Sequence, residues 1–297
     1  MNNHVYCPHC YKENVDFTTV IGETSIVLDD GVEYRYIAQT AICCECGKPC
    51  INEEYRQHNA IEFNNVVRVA HSCIPQWQID ELFNRYGETL RSISEKLNIS
   101  PELVKNLKNG ICPSREHSDI LKTIWLAHAL AEEKEIPLIG EIRSGGQTGV
   151  DRAAFDAARE VGLPICGWCP KGGWAEDMED APGLLIEYPE MVETPEEKPE
   201  QRTMWNVRDA DAVIIYYHES KNRMSVGTEL AKDTGLKHNK LMLIADCHTK
   251  PEDVIVWLKH IGRDLTLSIG GPRESESPGI YDEAKNFFHT LFLIAKN

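Results

Sequence analysis

The chain has 297 residues and a formal net charge of −16, with 42% hydrophobic and 26% charged residues. Since a globular domain usually contains about 100–200 residues, this length favours two or three domains, and the ordinary composition excludes a mostly disordered chain. The acidic balance argues against a broad surface that coats nucleic acid, although it allows a small basic patch.

Neither a membrane helix nor a secretory signal is apparent. No apolar run approaches the roughly 18 residues that a membrane helix needs, and the first residues lack a basic segment followed by an apolar one. We therefore expect a cytoplasmic protein with no membrane partner. In that compartment, the eleven cysteines indicate metal or thiol chemistry rather than disulfides.

Residues 1–74 hold seven of these cysteines, together with β-type segments at 18–21, 25–28 and 32–40. Two CxxC pairs within this region can complete a tetrahedral thiolate shell. The sequence therefore predicts a small β-rich zinc-ribbon module with one structural zinc ion, held by Cys7, Cys10, Cys43 and Cys46. Cys44 and Cys50 are competing ligands, and unpaired buried or redox-active thiols are the alternative interpretation.

Residues 75–135 have the apolar spacing of short helices. A helix over 90–97, a turn over 98–100 and a second helix over 101–108 predict a helix-turn-helix, and Ser100 followed by Pro101 is a typical helix start. This stretch supplies basic and amide side chains that can contact DNA: Lys105, Asn106, Lys108, Asn109 and Arg115. The alternative is a helical linker domain with the same packing.

The order of these two modules, over about residues 5–128, resembles the antitoxin-type regulators of the MqsA/YgiT family, which have a similar CPxC…CxxC ribbon. The resemblance implies that the ribbon is a dimerisation, partner-binding or scaffold unit. It also implies a homo-oligomer and a protein partner, such as a toxin or defence component.

Residues 136–297 alternate between strand patterns (139–142, 184–186, 212–217, 241–245, 265–269) and helix patterns (150–161, 226–235, 251–261, 279–295). This alternation predicts an α/β fold, a Rossmann-like, mostly parallel open sheet with helices on both faces. Four glycine-containing loops follow strands, at 142–151, 168–173, 224–229 and 270–275. Open sheets bind ligands at that edge, so we expect 145–149 and 227–228 to lie at adjacent strand ends and form one anion cradle. Lys171 or Arg273 would complete it, and a side chain added at Gly146 would block it.

Five motifs in this region resemble, in order, the circularly permuted YpsA branch of the SLOG superfamily, which includes molybdenum carrier proteins: SGGQTGVDRAAFDAA, GWCPKGGWAED, RTMWNVRDADA, VGTELA and GPRESESPGIYDEA. The resemblance implies a nucleotide-like or phosphorylated ligand, or molybdenum cofactor. It assigns phosphate contacts to Gly145, Gly146, Thr148, Gly149, Gly227 and Thr228. Around the ligand it places Asp151, Arg152, Lys171, Glu176, Asp177, Arg202, Asn206, Arg273, Glu274 and Ser275. The chain departs from the branch in VGTELA and after AED.

Glu229 directly follows the Gly227-Thr228 pair, as a glutamate does in phosphoribohydrolases of the superfamily. That position implies a catalytic role at an oxocarbenium-like transition state, although an acid favoured by the helix dipole is the simpler interpretation. The sequence thus favours a DNA-binding regulator with a ligand-sensing domain. The alternatives are a nucleotide phosphoribohydrolase or N-glycosidase with an adaptor N-terminus, and a molybdenum cofactor carrier.

Overall fold

The structure, a computed structural model, describes residues 5–87, 89–217 and 224–296. The chain divides into two compact units, Met1–Trp125 and Leu126–Asn297. The expected fold class is confirmed, because an antiparallel sheet with clustered cysteines precedes a mixed α/β unit with a parallel sheet. Among the described residues, no helix has the length and apolar character needed to cross a bilayer.

The first unit opens with a five-stranded antiparallel sheet in the order β2-β1-β5-β4-β3. Its strands are β1 (Val5–Cys7), β2 (Lys12–Glu13), β3 (Phe17–Val27), β4 (Glu33–Cys43) and β5 (Pro49–Asn52). The two predicted segments 18–21 and 25–28 are one strand, because β3 pairs with β4 without a break from Phe17 to Val27.

Helix α1 (Glu53–Ala70) corrects the prediction that 1–74 is simply β-rich. Asn52 caps it by accepting a hydrogen bond from the Tyr55 amide, and Glu53 and Glu54 stand in the first turn, where the helix dipole favours acids. The helix packs on β4, where Phe63 contacts two tyrosines of the strand, Tyr34 and Tyr36. The helix thereby adds aromatic packing to one strand of the small sheet.

Four further helices follow: α2 (Gln76–Tyr86), α3 (Leu90–Leu97), α4 (Pro101–Lys108) and α5 (Arg115–Ala131). The bounds predicted for the helix-turn-helix pair agree with α3 and α4. Asn98 ends α3 in the left-handed conformation, and the Ser100 hydroxyl accepts from the Leu103 amide at the start of α4. The facing apolar residues are buried: Ile93, Leu97, Val104 and Leu107.

The second unit contains a six-stranded, all-parallel sheet in the order β10-β9-β11-β6-β7-β8. Its strands are β6 (Ile139–Arg143), β7 (Ile165–Cys169), β8 (Met191–Glu193), β9 (Ala212–Tyr216), β10 (Leu241–Ala245) and β11 (Leu265–Gly270). The helices are α6 (Val150–Val161), α7 (Leu184–Glu187), α8 (Pro199–Arg208), α9 (Val226–Lys237), α10 (Pro251–Ile261) and α11 (Ile280–Lys296).

Four elements differ from the sequence-based prediction, because α7 stands where a strand was expected and β7, β8 and α8 were not predicted. The run 184–186 forms α7 instead of a strand, since a short apolar run does not distinguish the two by periodicity. Strand β7 was missed because Gly167 and two cysteines weaken its pattern. A Cβ at Gly167 would lie 2.0 Å from the Ser144 carbonyl oxygen, so the glycine permits close approach of the β6–α6 loop.

The order of the strands places a switch point at β11. The chain adds β7 and β8 on one side of β6, and then crosses to β9 on the far side of β11. In open parallel sheets, ligands bind at the carboxyl ends of the strands where the order reverses. The ends of β6, β11 and β9 therefore define the expected binding edge.

Candidate functional site

A cavity of about 240 Å³ opens at this edge of the sheet. It is lined by the β6–α6 loop, the start of α9, the segment after β11 and the first turns of α8. Of the residues predicted from sequence, it brings together Asp151, Arg202, Gly227, Thr228 and Arg273. The two glycine loops thus border one cavity, but the expectation of adjacent strands is wrong, because β11 lies between β6 and β9.

The start of α9 gives the cavity an open backbone wall. The Ser225 hydroxyl caps the helix by accepting from the Thr228 amide at 3.3 Å. A Cβ at Gly227 would have no atom of the described residues within 4 Å, so among these residues the backbone faces free space there. Because the first N–H groups of a helix have no intrahelical partner and lie at its positive end, this wall suits an anion.

An ion pair between Arg202 and Asp151 forms another wall. Arg202 Nη1 lies 3.0 Å from Asp151 Oδ2, and both side chains are largely buried. Burial raises the pKa of Asp151, although Arg202 and Arg273 oppose this shift. Among the described residues, the buried Arg202 Nε has no hydrogen-bond partner. The guanidinium therefore has donor capacity beyond its bond to Asp151.

Gly145 and Gly149 stand at positions of the loop where a side chain would not fit. A Cβ at Gly145 would fall 1.7 Å from Arg202 Nη1, and one at Gly149 would fall 2.4 Å from the Pro272 carbonyl oxygen. The first glycine makes room for the arginine, and the second lets the segment after β11 lie against α6. Both positions shape the cavity.

A cluster of hydrogen bonds centred on Glu176 joins three of the motifs. Thr148 and Ser275 donate their hydroxyls to its carboxylate, the latter at 2.6 Å, and Arg273 Nη1 lies 4.0 Å away. Burial acts to raise the pKa of Glu176, but the bonds from Ser275 and Thr148 outweigh it, and the pKa lies below its ordinary value. The Glu274 amide also donates to Thr148 Oγ1 at 3.3 Å. This cluster holds the β6–α6 loop against the segment after β11.

Arg152 and Asp177 pair beside the same loop. Arg152 Nη2 donates to Asp177 Oδ1 at 3.0 Å and to the Gly146 carbonyl at 3.1 Å. Gly146 has a φ of +67°, and a Cβ there would lie 3.0 Å from Met191 Sδ. The expectation that a side chain at Gly146 blocks the ligand and spares the fold is therefore wrong, because it would strain the backbone and press on the core.

Among the predicted residues that do not line this cavity, three also take no part in the loop contacts described above. Lys171 is exposed and lines a separate cleft of about 470 Å³ beside Trp174, whose ring packs under the Arg273 guanidinium. The Asn206 side chain bonds to the backbone N–H and C=O of Trp168, at 2.8 and 3.0 Å. Glu229 is exposed in the first turn of α9 and is not among the residues that line the cavity.

Sequence reasoning missed Gln147 and Ser225, which stand inside motifs that it had recognised. Gln147 Oε1 accepts from the amides of Thr148 and Glu176, at 3.0 and 2.9 Å, and so fixes the loop conformation. Gln147 and Ser225 both line the cavity. The available signal was their amide and hydroxyl chemistry at a predicted strand-to-helix turn.

The four predicted zinc ligands form a compact cluster in the first unit. All four sulfur atoms lie within 4.8 Å of one another, and the Cys7–Cys46 and Cys10–Cys43 pairs are 3.6 and 3.9 Å apart. A tetrahedral zinc with bonds of about 2.3 Å needs sulfur atoms about 3.8 Å apart. The cluster can therefore hold a metal ion, with thiolate donors that suit zinc. Cys44 is outside the group.

The predicted DNA contacts lie on and after α4. Lys105, Lys108 and Asn109 are exposed, whereas Asn106 is half-buried. Arg115 is engaged within the protein, because it donates to the His71 carbonyl at 3.0 Å and pairs with Asp119 at 2.9 Å. The exposed part of the basic patch is therefore narrower than the sequence indicated.

Comparison with known proteins identifies the family of the second unit. Residues 142–292 match the circularly permutated YpsA SLOG family. A solved structure from Syntrophus aciditrophicus SB, described as "Putative molybdenum carrier protein", is 32% identical over 54% of this chain and 98% of its own, with a TM-score of 0.46. No curated protein matches significantly, and the resemblance of the N-terminal half stays a prediction. Since the family match spans about half of the chain, this protein belongs to the circularly permutated YpsA SLOG family.

Proposed function

We propose that the SLOG domain binds a small phosphorylated or nucleotide-like ligand in the cavity at the ends of β6, β9 and β11. The observation that carries this proposal is that Arg202, Arg273 and the open start of α9 line one cavity. We further propose that the N-terminal unit binds DNA, so that the protein acts as a regulator that responds to the ligand.

The dimensions of the cavity support a compact ligand. Its volume of about 240 Å³ falls just below the usual range for small-molecule pockets, roughly 300–1,000 Å³, and favours one phosphorylated group over a dinucleotide. Three acidic residues also line the cavity: Asp151, Glu200 and Glu276. Their charges would repel an anion from the parts of the cavity wall that they form. Recognition therefore depends on the helix end and the arginines, where local donors outweigh distant charge.

Gly227→Val is expected to abolish ligand binding while preserving the fold, because its Cβ would enter free space within the cavity. A ligand at about 100 times its Kd stabilises a protein by about 2.7 kcal/mol, which thermal unfolding detects easily. The measurement is the thermal shift with inorganic phosphate, nucleoside monophosphates and pterin phosphates. Gly22→Val is the matched control, since Gly22 lies on exposed β3 and its Cβ would also have no atom within 4 Å in the described part of the chain.

Stabilisation of wild type and Gly22→Val, but not of Gly227→Val, would support the cavity as the site. Equal stabilisation of all three proteins by the same compound would place the ligand elsewhere. A response to pterin phosphates alone would favour the molybdenum cofactor alternative. Release of free base from nucleoside monophosphates, abolished in Glu229→Gln, would favour the hydrolase, although the exposed position of Glu229 outside the cavity argues against it.

The DNA-binding role rests on the exposed lysines of α4. Lys105→Ala with Lys108→Ala is expected to weaken DNA binding and to reduce the slope of log affinity against log salt by roughly one for each DNA phosphate that is no longer neutralised. Fluorescence anisotropy with promoter and random duplexes at several salt concentrations gives this slope. Lys232→Ala with Lys259→Ala is the control, because it removes the same charge from the second unit. An equal decrease in affinity for both pairs, or no wild-type binding at low salt, would contradict the role.

A further inference from the structure

Two cysteines outside the four-cysteine cluster lie close together in the first unit. Cys73 stands between α1 and α2, and Cys112 stands between α4 and α5. Their sulfur atoms approach the same carbonyl oxygen, that of Pro113, at 3.9 Å for Cys73 and 3.5 Å for Cys112. Both residues are partly exposed.

A buried cation lies beside this pair. Arg68 is 3% exposed, and its Nη2 donates to Gln76 Oε1 at 2.8 Å and to the Ile111 carbonyl at 3.0 Å. Among the described residues, its Nε and Nη1 atoms have no hydrogen-bond partner. Asp80 bonds to the amide of Gln76, not to the guanidinium itself. A buried guanidinium stays charged and needs a nearby counter-charge.

The acidic groups that favour the charged form of Arg68 are the thiols of Cys112 and Cys73 and the carboxyl group of Asp80. A hydrogen bond from Cys112, opposed by burial and helped by the charges of Arg115 and His71, lowers the pKa of Cys73 to about 7. The same contact, together with burial, raises the pKa of Cys112. Cys73 is therefore the more acidic thiol of the pair, and Cys112 is the thiol that keeps its proton.

We propose that Cys73 and Cys112 form an oxidation site for peroxides, with Cys73 as the nucleophile and Cys112 as the resolving thiol. The Cys73 thiolate attacks a peroxide oxygen, the O–O bond breaks, and hydroxide or alkoxide leaves as Cys73 becomes a sulfenic acid. The Cys112 sulfur then attacks that sulfur, the S–O bond breaks, and water leaves as the disulfide forms. The two thiols lose two electrons, and the peroxide gains them.

The disulfide would close a loop that contains α2, α3 and α4, the helix-turn-helix region. Oxidation would thus act on the module that the proposed function assigns to DNA, although the chemistry at the two sulfurs does not depend on that assignment.

Peptide mapping after peroxide treatment of the full chain tests the proposal directly. Trypsin separates the two thiols into peptides 69–85 and 109–115, each with a single cysteine. We expect a disulfide between these peptides in wild type and in Cys247→Ser, a control that removes an exposed cysteine of the second unit. In Cys112→Ser, dimedone should trap a sulfenic acid on Cys73. Peroxide treatment that leaves Cys73 reduced, or that oxidises it without ever joining Cys112, would overturn the proposal.

The pH dependence of alkylation tests the activation separately. The iodoacetamide rate at Cys73 should have its midpoint near pH 7, against about 8.5 for an ordinary cysteine, so its thiolate fraction at pH 7 is about fifteenfold larger. Arg115→Met should raise this midpoint, because the charge of Arg115 lowers the pKa of Cys73, and Arg115→Lys should restore it. If Arg115→Met does not fold, the midpoints of wild type and Cys112→Ala decide, since alanine removes the hydrogen bond from Cys112 and should also raise the value. A wild-type midpoint at 8.5 or above would contradict the activation.

Discussion

Cys43→Ser is expected to release the metal from the four-cysteine cluster and to unfold the N-terminal sheet. The core beside the cluster is small, and it contains two of the ligands themselves: Val5, Cys7, Val15 and Cys43. Strand β3 adds little, because nearly all of its residues are exposed. Structural zinc contributes about 10–16 kcal/mol to the folding of small zinc-binding peptides, more than the net stability of most domains.

Elemental analysis should find about one zinc per wild-type chain, and limited proteolysis should show cleavage within β1–β5 of the variant. The second unit has its own sheet and core, so we expect its thermal transition to persist. Cys44→Ser is the matched control, since Cys44 is adjacent in sequence and exposed, and lies outside the cluster. A metal-free wild-type protein with an intact N-terminal sheet would show that zinc is not required.

Helices α3 and α4 were predictable from sequence because their signals are local. Ser100 and Pro101 begin α4 by chain chemistry alone, and an apolar spacing of three and four residues fixes the inward faces of both helices. Helix α1 was missed because its signal is weak in isolation. Its apolar residues are few, and its packing on β4 stabilises it.

The candidate site was predictable in its composition and less so in its geometry. Motifs that follow parallel strands must meet at one edge of a sheet, so their convergence follows from the fold. The direction in which each residue faces does not. Gly146 and Gly227 both stand in predicted glycine-containing loops that follow strands. A Cβ at Gly146 would press on Met191, whereas a Cβ at Gly227 would enter the cavity. Only the packing of α7, β8 and α9 distinguishes them.

The pairing of Arg202 with Asp151 also depends on tertiary structure, because the two residues lie on different helices, and it predicts a large effect. Arg202→Met is expected to destabilise the second unit by about 3–5 kcal/mol, because it leaves a buried carboxylate without its ion pair. Urea unfolding followed in that unit measures the decrease in stability. Asp151→Asn in the Arg202→Met background should recover much of it, because the amide carries no charge.

The pH dependence of this variant has a definite sign. The pKa of Asp151 is raised in the folded protein by burial, so protonation favours the folded state. Its contribution to stability is complete below the ordinary pKa of the carboxyl group and is lost as pH rises through the folded value. The charge of Arg202 lowers the pKa of Asp151 in the wild type. Without Arg202 that pKa is higher, so the free energy of unfolding continues to decrease up to a higher pH. The free energy of unfolding of Arg202→Met should therefore fall further below wild type at pH 8 than at pH 5. A deficit independent of pH, or single-variant effects that add in the double variant, would show that the two side chains do not form the buried pair.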